Sequence, residues 1–318
     1  MPDGSDLENE FLSYAIEQTH PLACACAGEG LRLNLLEALR RDIKWITSAE
    51  FAQSHSRGRE SFGVVPADFN NRMMEIGRLR VIAGIRFRNL DNNHPFVSIE
   101  QSNLQIGTLS NATELMRTIS AAFSAFKPRT LSFHHSSHLP LRIEGTKADF
   151  HVLIAPAQAM AERPTPAGLD RVALVVCADL DFYDRYVTLY DEIYDERPWA
   201  RAEVRVEDRE TLADCRAQGL LLHVYVDGIW SGIVAGTHWG SSARGAVKGI
   251  QVAEMILAKS ARGAGLGVGV QLRFAEHVAS LAPNATIWGT VAHANVPMRR
   301  TAKRAGRVDI GTTYCIDF

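Results

Sequence analysis

Asp227-Gly228 stands between two apolar, β-branched runs, 221–226 and 229–235. A two-residue turn with positive φ at both positions joins antiparallel strands, and Asp-Gly is one of the few dipeptides that accept it. An antiparallel hairpin is therefore fixed in the second half of the chain. Around it the apolar period alternates between two and 3.6 residues. This pattern predicts a strand at 171–177 and a helix at 180–194 before the hairpin. After it come a strand at 249–257, a glycine-rich turn, a helix at 265–279, a strand at 285–291, a helix at 297–305 and a strand at 312–318. Such an order gives an α/β (α+β) fold with a central mixed, mostly antiparallel sheet flanked by helices.

The first half begins with polar-mixed helices, including 31–39, up to about residue 70. Strands follow at 81–87 and 95–99, then a helix at 111–126 in which Asn111 caps and Glu114 stands three residues on. Further strands lie at 130–133 and 150–154. The segment 134–138, His-His-Ser-Ser-His before Pro140, reads as a loop. Three histidines without a carboxylate or cysteine at ligand spacing do not make a metal site, so no metal is expected. The stretch 162–168 carries two prolines and a glycine and reads as a linker. It divides the chain into domains 1–165 and 166–318. Val81 to Ile85 echoes Ile229 to Ile233, so two related domains are expected.

The 318 residues suffice for two cores at ~100–200 residues per domain. Lys plus Arg is 34 and Asp plus Glu is 36, a net charge of -2 that offers nucleic acid no overall basic footprint. No apolar run reaches the ~18 residues of a membrane helix, so no membrane association is expected. The five cysteines lack CxxC spacing, which together with the acidic start points to a reducing, cytoplasmic setting. A homo-oligomer is compatible with this composition.

Arg262-Gly263-Ala264-Gly265-Leu266-Gly267 lies between a strand and an amphipathic helix. Small residues let the backbone approach a ligand closely, and the unpaired N–H groups of a helix start favour anions. The segment is neither G-x-x-x-x-G-K-[ST] nor G-x-G-x-x-G, which excludes the P-loop and the dinucleotide turn. It reads R-x-x-G-x-G. Together with the Asp227-Gly228 hairpin, the strand 251–257, the strand 286–291, Asn295 and Gly306, it resembles the coenzyme A loop of the GNAT superfamily of acyl-CoA N-acyltransferases, over roughly 168–318.

The resemblance implies an acyl-CoA co-substrate, acetyl-CoA or another acyl-CoA, and a small-molecule amine acceptor that attacks the thioester directly. It implies that Arg262, Gly263, Ala264, Gly265, Leu266 and Gly267 hold the pyrophosphate. Ile256 and Leu257 would pair with the pantetheine arm and polarise the thioester carbonyl, and Asn295 would contact the arm from the next strand. The family's proton-donating tyrosine falls at Ala302, so the general acid must come from elsewhere, such as Tyr314. Glu254 is the candidate general base, with His293 the second. Amines have a pKa near 10, so a proton must leave before attack. Unit 1–165 lacks the loop, its equivalent stretch being Leu104 to Thr108, and is expected to be a degenerate or accessory domain.

Two further clusters have competing readings. Tyr183, Tyr186, Tyr190 and Tyr194 form one helical stripe, either an acceptor-site wall or a packing face. Arg299, Arg300, Lys303, Arg304 and Arg307 form a basic run, either contacting the CoA 3′-phosphate or facing solvent. Rival functions are a non-catalytic acyl-CoA sensor, and a GNAT-fold enzyme with a non-amine acceptor or decarboxylase chemistry.

Overall fold

The computed structural model describes residues 4–109, 112–164, 168–238, 241–242 and 245–318. The expected Asn111 cap and residues 165–167 of the expected linker lie outside the described residues. The chain forms two compact units. One runs to Phe150 and takes in Ile310–Phe318; the other runs from His151 to Asp309, apart from a short stretch ending at Val247. The division falls at Phe150/His151, ahead of the 162–168 linker, and the C-terminal strand groups with the first unit.

Unit 1 opens with four helices, α1 (Gly4–Gln18), α2 (Pro21–Ala27), α3 (Leu31–Lys44) and α4 (Ala49–Ser56). Its strands are β1 (Arg72–Ile76), β2 (Leu79–Phe87), β3 (Pro95–Ser102) and β4 (Thr130–Ser136), with α5 (Thr113–Ala122) before β4. β1 and β2 are antiparallel, β2 and β3 antiparallel, β3 and β4 parallel. Val81, Ile85, Val97, Leu131 and Phe133 point into one core with Ile119, Phe123 and Phe126. β4 extends three residues further than expected from sequence. His134 and His135, expected in a loop, are strand residues opposite Thr313 and Thr312 of the C-terminal strand.

β5 (Lys147–Pro156) begins in unit 1 and continues into unit 2 from His151. Unit 2 continues with α6 (Ala157–Ala161), β6 (Val172–Val176), α7 (Tyr183–Glu196), α8 (Ala200–Glu203), α9 (Arg209–Ala217), β7 (Leu221–Val226) and β8 (Ile229–Thr237). Two-residue strands β9 (Ser241–Ser242) and β10 (Val247–Lys248) precede β11 (Ile250–Leu257), α10 (Leu266–Leu281), β12 (Thr286–Ala292) and α11 (Val296–Arg304). The last strand, β13 (Val308–Asp317), passes to unit 1 at Ile310. Strand order in unit 2 is β5-β12-β11-β8-β7-β6. The β6/β7, β7/β8 and β8/β11 pairs are antiparallel, and β11/β12 is parallel. The fold is thus a mixed, mostly antiparallel sheet flanked by helices.

Local chemistry explains the hairpin. Asp227 has φ 52 and Gly228 φ 78, the two left-handed positions of a tight turn. α10 is buried along most of its length, with Val270, Phe274 and Val278 packed on Val224, Val234, Ile250 and Ile287 of one sheet face. Tyr186, Leu189, Leu212 and Cys215 of α7 and α9 cover the other face against Leu221, Ile233 and Ile256. A helix on each face leaves the chemistry to the strand ends.

The run of antiparallel, antiparallel and parallel pairs occurs in both units, as β1-β2-β3-β4 and as β7-β8-β11-β12. Gly84 and Gly232, matched in the sequence echo, both lie on the second strand of this run, opposite Ser98 of β3 and Leu257 of β11. A Cβ at Gly232 would stand 2.0 Å from the Ile256 carbonyl oxygen, so only glycine fits there.

Candidate active site

β11 and β12 run parallel but pair only at Ile250↔Ile287 and Gln251↔Trp288. Beyond that point β11 continues to Leu257 beside β8, while β12 continues to Ala292, and no ladder joins them. Being parallel, both strands deliver their C-terminal ends, and the starts of α10 and α11, to one end of the sheet. A bulge between Val252 and Glu254 breaks the β8/β11 register at the same level.

After β11 the chain makes one 3₁₀ turn, Lys259–Ala261, and enters the glycine segment. Gly263 has φ 83 and Gly265 φ 77, and a Cβ on either would meet nothing within 4 Å. These glycines are required by backbone conformation and by the open space in front of them, not by packing. Among the described residues, the N–H groups of Gly263, Ala264, Gly265, Leu266 and Gly267 have no backbone acceptor; the first one bonded is Val268, to Gly265. Five consecutive free donors at the positive end of a sixteen-residue helix can accept an anion. Gly267 brings this helix start close to α11, since its Cβ would lie 3.0 Å from Thr301.

Arg262 does not point into that site. Its Nε donates to the Leu257 carbonyl at 2.7 Å, and a terminal nitrogen to Glu196 at 2.8 Å. Lys259 donates to the other Glu196 oxygen at 2.9 Å. The hydrogen bond from Lys259 is the chief reason the Glu196 carboxyl lies below its ordinary pKa. Arg262 therefore pins the loop to the end of β11 and to α7, and the Leu257 carbonyl is already engaged. Asn295 caps α11, accepting from the Met298 N–H at 3.3 Å. Its amide is thus held at the mouth of the β12 arm.

Glu254 is not a surface carboxylate. It is 6% exposed, and three donors surround it. Tyr186 donates at 2.5 Å and Tyr190 at 2.7 Å to one oxygen, and the Met255 N–H at 2.7 Å to the other. Burial raises its pKa to about 7 against the lowering effect of these bonds. The tyrosines are pushed up, chiefly by burial and next by the nearby carboxylate, so they remain phenols. Two members of the tyrosine stripe therefore serve the glutamate. Tyr183 instead donates to the Glu207 carbonyl and Tyr194 to the Val204 carbonyl. Asp184, beside the stripe, pairs with Arg209 on the surface.

His293 directly follows β12 and is exposed. Its Nδ1 is 2.9 Å from Nε2 of His151 on β5, whose Nδ1 is 2.8 Å from an Asp309 oxygen. The two rings stack with centroids 5.2 Å apart. His151 and Asp309 escaped the sequence reading, because neither lies near His293 in the chain. Ala302, at the family's tyrosine position, is fully buried against Leu153 and Val291. Arg307 also departs from expectation. It leaves the basic face, is 3% exposed, and donates to the Leu153 carbonyl at 3.0 Å. Tyr314 lies in unit 1, stacked on Phe133 at 6.0 Å.

Unit 1 has its own parallel pair, β3/β4, whose register ends at Ile99↔Phe133. Past it, Ser102, Gln105, His134 and His135 meet Tyr14, Ala15 and Gln18 of α1 around a small cavity. Gly107, in the stretch equivalent to the loop, packs so closely that a Cβ would stand 2.4 Å from His135 Nδ1. In unit 1 the N-terminal helices occupy the space past the parallel pair. Among the described residues no group of three or more His, Cys, Asp or Glu is placed to hold a metal, and no helix is long and apolar enough to cross a membrane.

No protein-family model matches the sequence, and no curated protein matches it. Solved structures do. The chain is similar to GCN5-related N-acetyltransferases. With the one from Sphaerobacter thermophilus it shares 12% identity over 88% of this chain and 91% of that one, at a TM-score of 0.48. With the one from Kribbella flavida the figures are 16%, 84%, 94% and 0.42. A tandem GNAT protein from the clavulanic acid biosynthesis pathway gives 14%, 75%, 78% and 0.40. At these scores the likeness carries no argument about chemistry.

Proposed function

We propose that unit 2 binds an acyl-CoA and transfers its acyl group to a primary amine, and that unit 1 is a degenerate relative of it. The observation that carries this reading is the parting of β11 and β12 beside five free N–H groups. An anionic diphosphate suits the helix start, and an extended, amide-bearing arm suits the unpaired edge of β11. Asn295 faces the same opening from the β12 side. The GNAT resemblance of the R-x-x-G-x-G segment supports CoA over other diphosphates.

The amine nitrogen attacks the thioester carbonyl. Glu254 is the base, and Tyr186 and Tyr190, buried beside it, hold its carboxylate by hydrogen bonds. A carboxyl with a pKa of about 7 is matched to proton transfer near neutrality. The test is amine-dependent release of free CoA thiol from acetyl-CoA over a panel of alkyl and aryl amines, with product mass. Thiol release with a mass gain of one acyl group on the amine supports transfer. Release without an acylated amine would point to hydrolysis or decarboxylation, and binding without release to a sensor.

A further inference from the structure

The direct attack proposed above expels a thiolate, and the structure has no phenol where the family resemblance puts one, because Ala302 is buried in the core. The hydrogen-bonded chain Asp309–His151–His293 lies at the same end of unit 2. We propose that these three residues form a proton relay whose exposed end, His293 Nε2, protonates the departing sulfur of CoA. This inference rests on the acyl-transfer reading.

The tautomers follow from the bonds. An ionised Asp309 only accepts, so His151 Nδ1 carries a proton. Neutral His151 then has a bare Nε2, which accepts from His293 Nδ1–H. His293 keeps its Nδ1 proton in either charge state, and its charge is decided at Nε2. Burial lowers the pKa of His151, the nearby Asp309 raises it, and Arg299 and His293 lower it further. His151 is buried and His293 exposed, so solvent reaches the hydrogen-bonded chain at His293. Lys303, 3.7 Å from Asp309, is the other cation facing the relay. His293 is two residues before Asn295 and at the end of β12, where the strand has left β11.

The step balances. The amine nitrogen forms the C–N bond, and the C–S bond breaks with its electron pair on sulfur. The nitrogen's surplus proton goes to Glu254. The sulfur takes the Nε2 proton of the His293 imidazolium. Solvent then returns a proton to His293 and removes one from Glu254. His293 touches the reacting sulfur and is the catalytic residue; His151 and Asp309 are positioning residues.

The full-length protein is tested in two ways. Imidazole resonances followed by NMR across pH give the His293 midpoint in wild type and in Asp309→Asn. The midpoint is expected to fall by about half a pH unit or more when the supporting anion is lost. An unchanged midpoint overturns the relay whatever the activity. In kinetics, His293→Ala is expected to lose about 100-fold in kcat, with acetyl-CoA affinity unchanged. Added imidazole should restore part of the rate, which a merely structural histidine would not allow. In Asp309→Asn the alkaline limb of kcat should move to lower pH. If the wild type acylates amines and His293→Ala does so equally fast, the relay alone is overturned. If the wild type neither binds CoA nor releases thiol, the acyl-transfer reading falls first, and the NMR midpoints still decide whether the three residues are coupled.

Discussion

Gly265→Asp is expected to abolish useful CoA binding while leaving the protein folded. Gly265 has φ 77, and the space where a Cβ would sit is open. Aspartate tolerates the left-handed region better than most residues, so the backbone cost is modest. The new carboxylate, however, lies among five N–H groups that await an anion, and satisfies them itself. It also repels the incoming diphosphate. A loss of about 100-fold in affinity, or 2.7 kcal/mol at 1.36 kcal/mol per tenfold, is expected by calorimetric titration with CoA. Unchanged affinity would remove the loop from the site. Gly265→Ala, which adds strain without charge, separates the two effects and should lose less.

Glu254→Gln is expected to act in opposite directions on rate and on stability. The base must be ionised, so kcat should rise with pH through about 7 in the wild type. The variant should lose that limb and roughly 100- to 1000-fold in kcat. Stability has the reverse sign. The folded pKa lies above the ordinary carboxyl value of 4.5, so the carboxyl's contribution is fully present below that value and is lost as pH rises through about 7. At pH 8 to 9 the wild type holds a buried carboxylate that glutamine avoids. Chemical denaturation there should find the variant more stable, by on the order of 3 kcal/mol at most, with no gain at pH 4. A variant that stays fully active, or that gains nothing at alkaline pH, would contradict a buried carboxyl titrating near neutrality.

What the sequence made legible was set by local chemistry. Asp227-Gly228 dictates its own turn, and glycines between a strand and a helix announce an open backbone whatever surrounds them. Asn295 before Pro297 announces a helix start. What stayed hidden needed partners far along the chain. Glu254 reads as an ordinary strand carboxylate until α7 lays Tyr186 and Tyr190 over it. The tyrosine stripe is a packing face, and two of its packed hydroxyls end on that carboxylate. His134 and His135 leave the expected loop because the C-terminal strand pairs with β4 and extends it. His151 and Asp309 reach His293 only because the fold brings distant parts of the chain together. The filled opening in unit 1 is signalled in the sequence only by the missing R-x-x-G-x-G; its occupants, from α1, come from the far N-terminus.

The central claim is that unit 2 holds a CoA species at the glycine loop. Thermal unfolding with CoA, acetyl-CoA or ATP in excess tests it most directly. A ligand at 100 times its Kd stabilises the folded state by about 2.7 kcal/mol, which moves the midpoint by several degrees. A rise with both CoA species, none with ATP, and none with CoA in Gly265→Asp is the predicted result. A midpoint indifferent to every CoA species would contradict the account, and would leave the glycine turn as architecture alone.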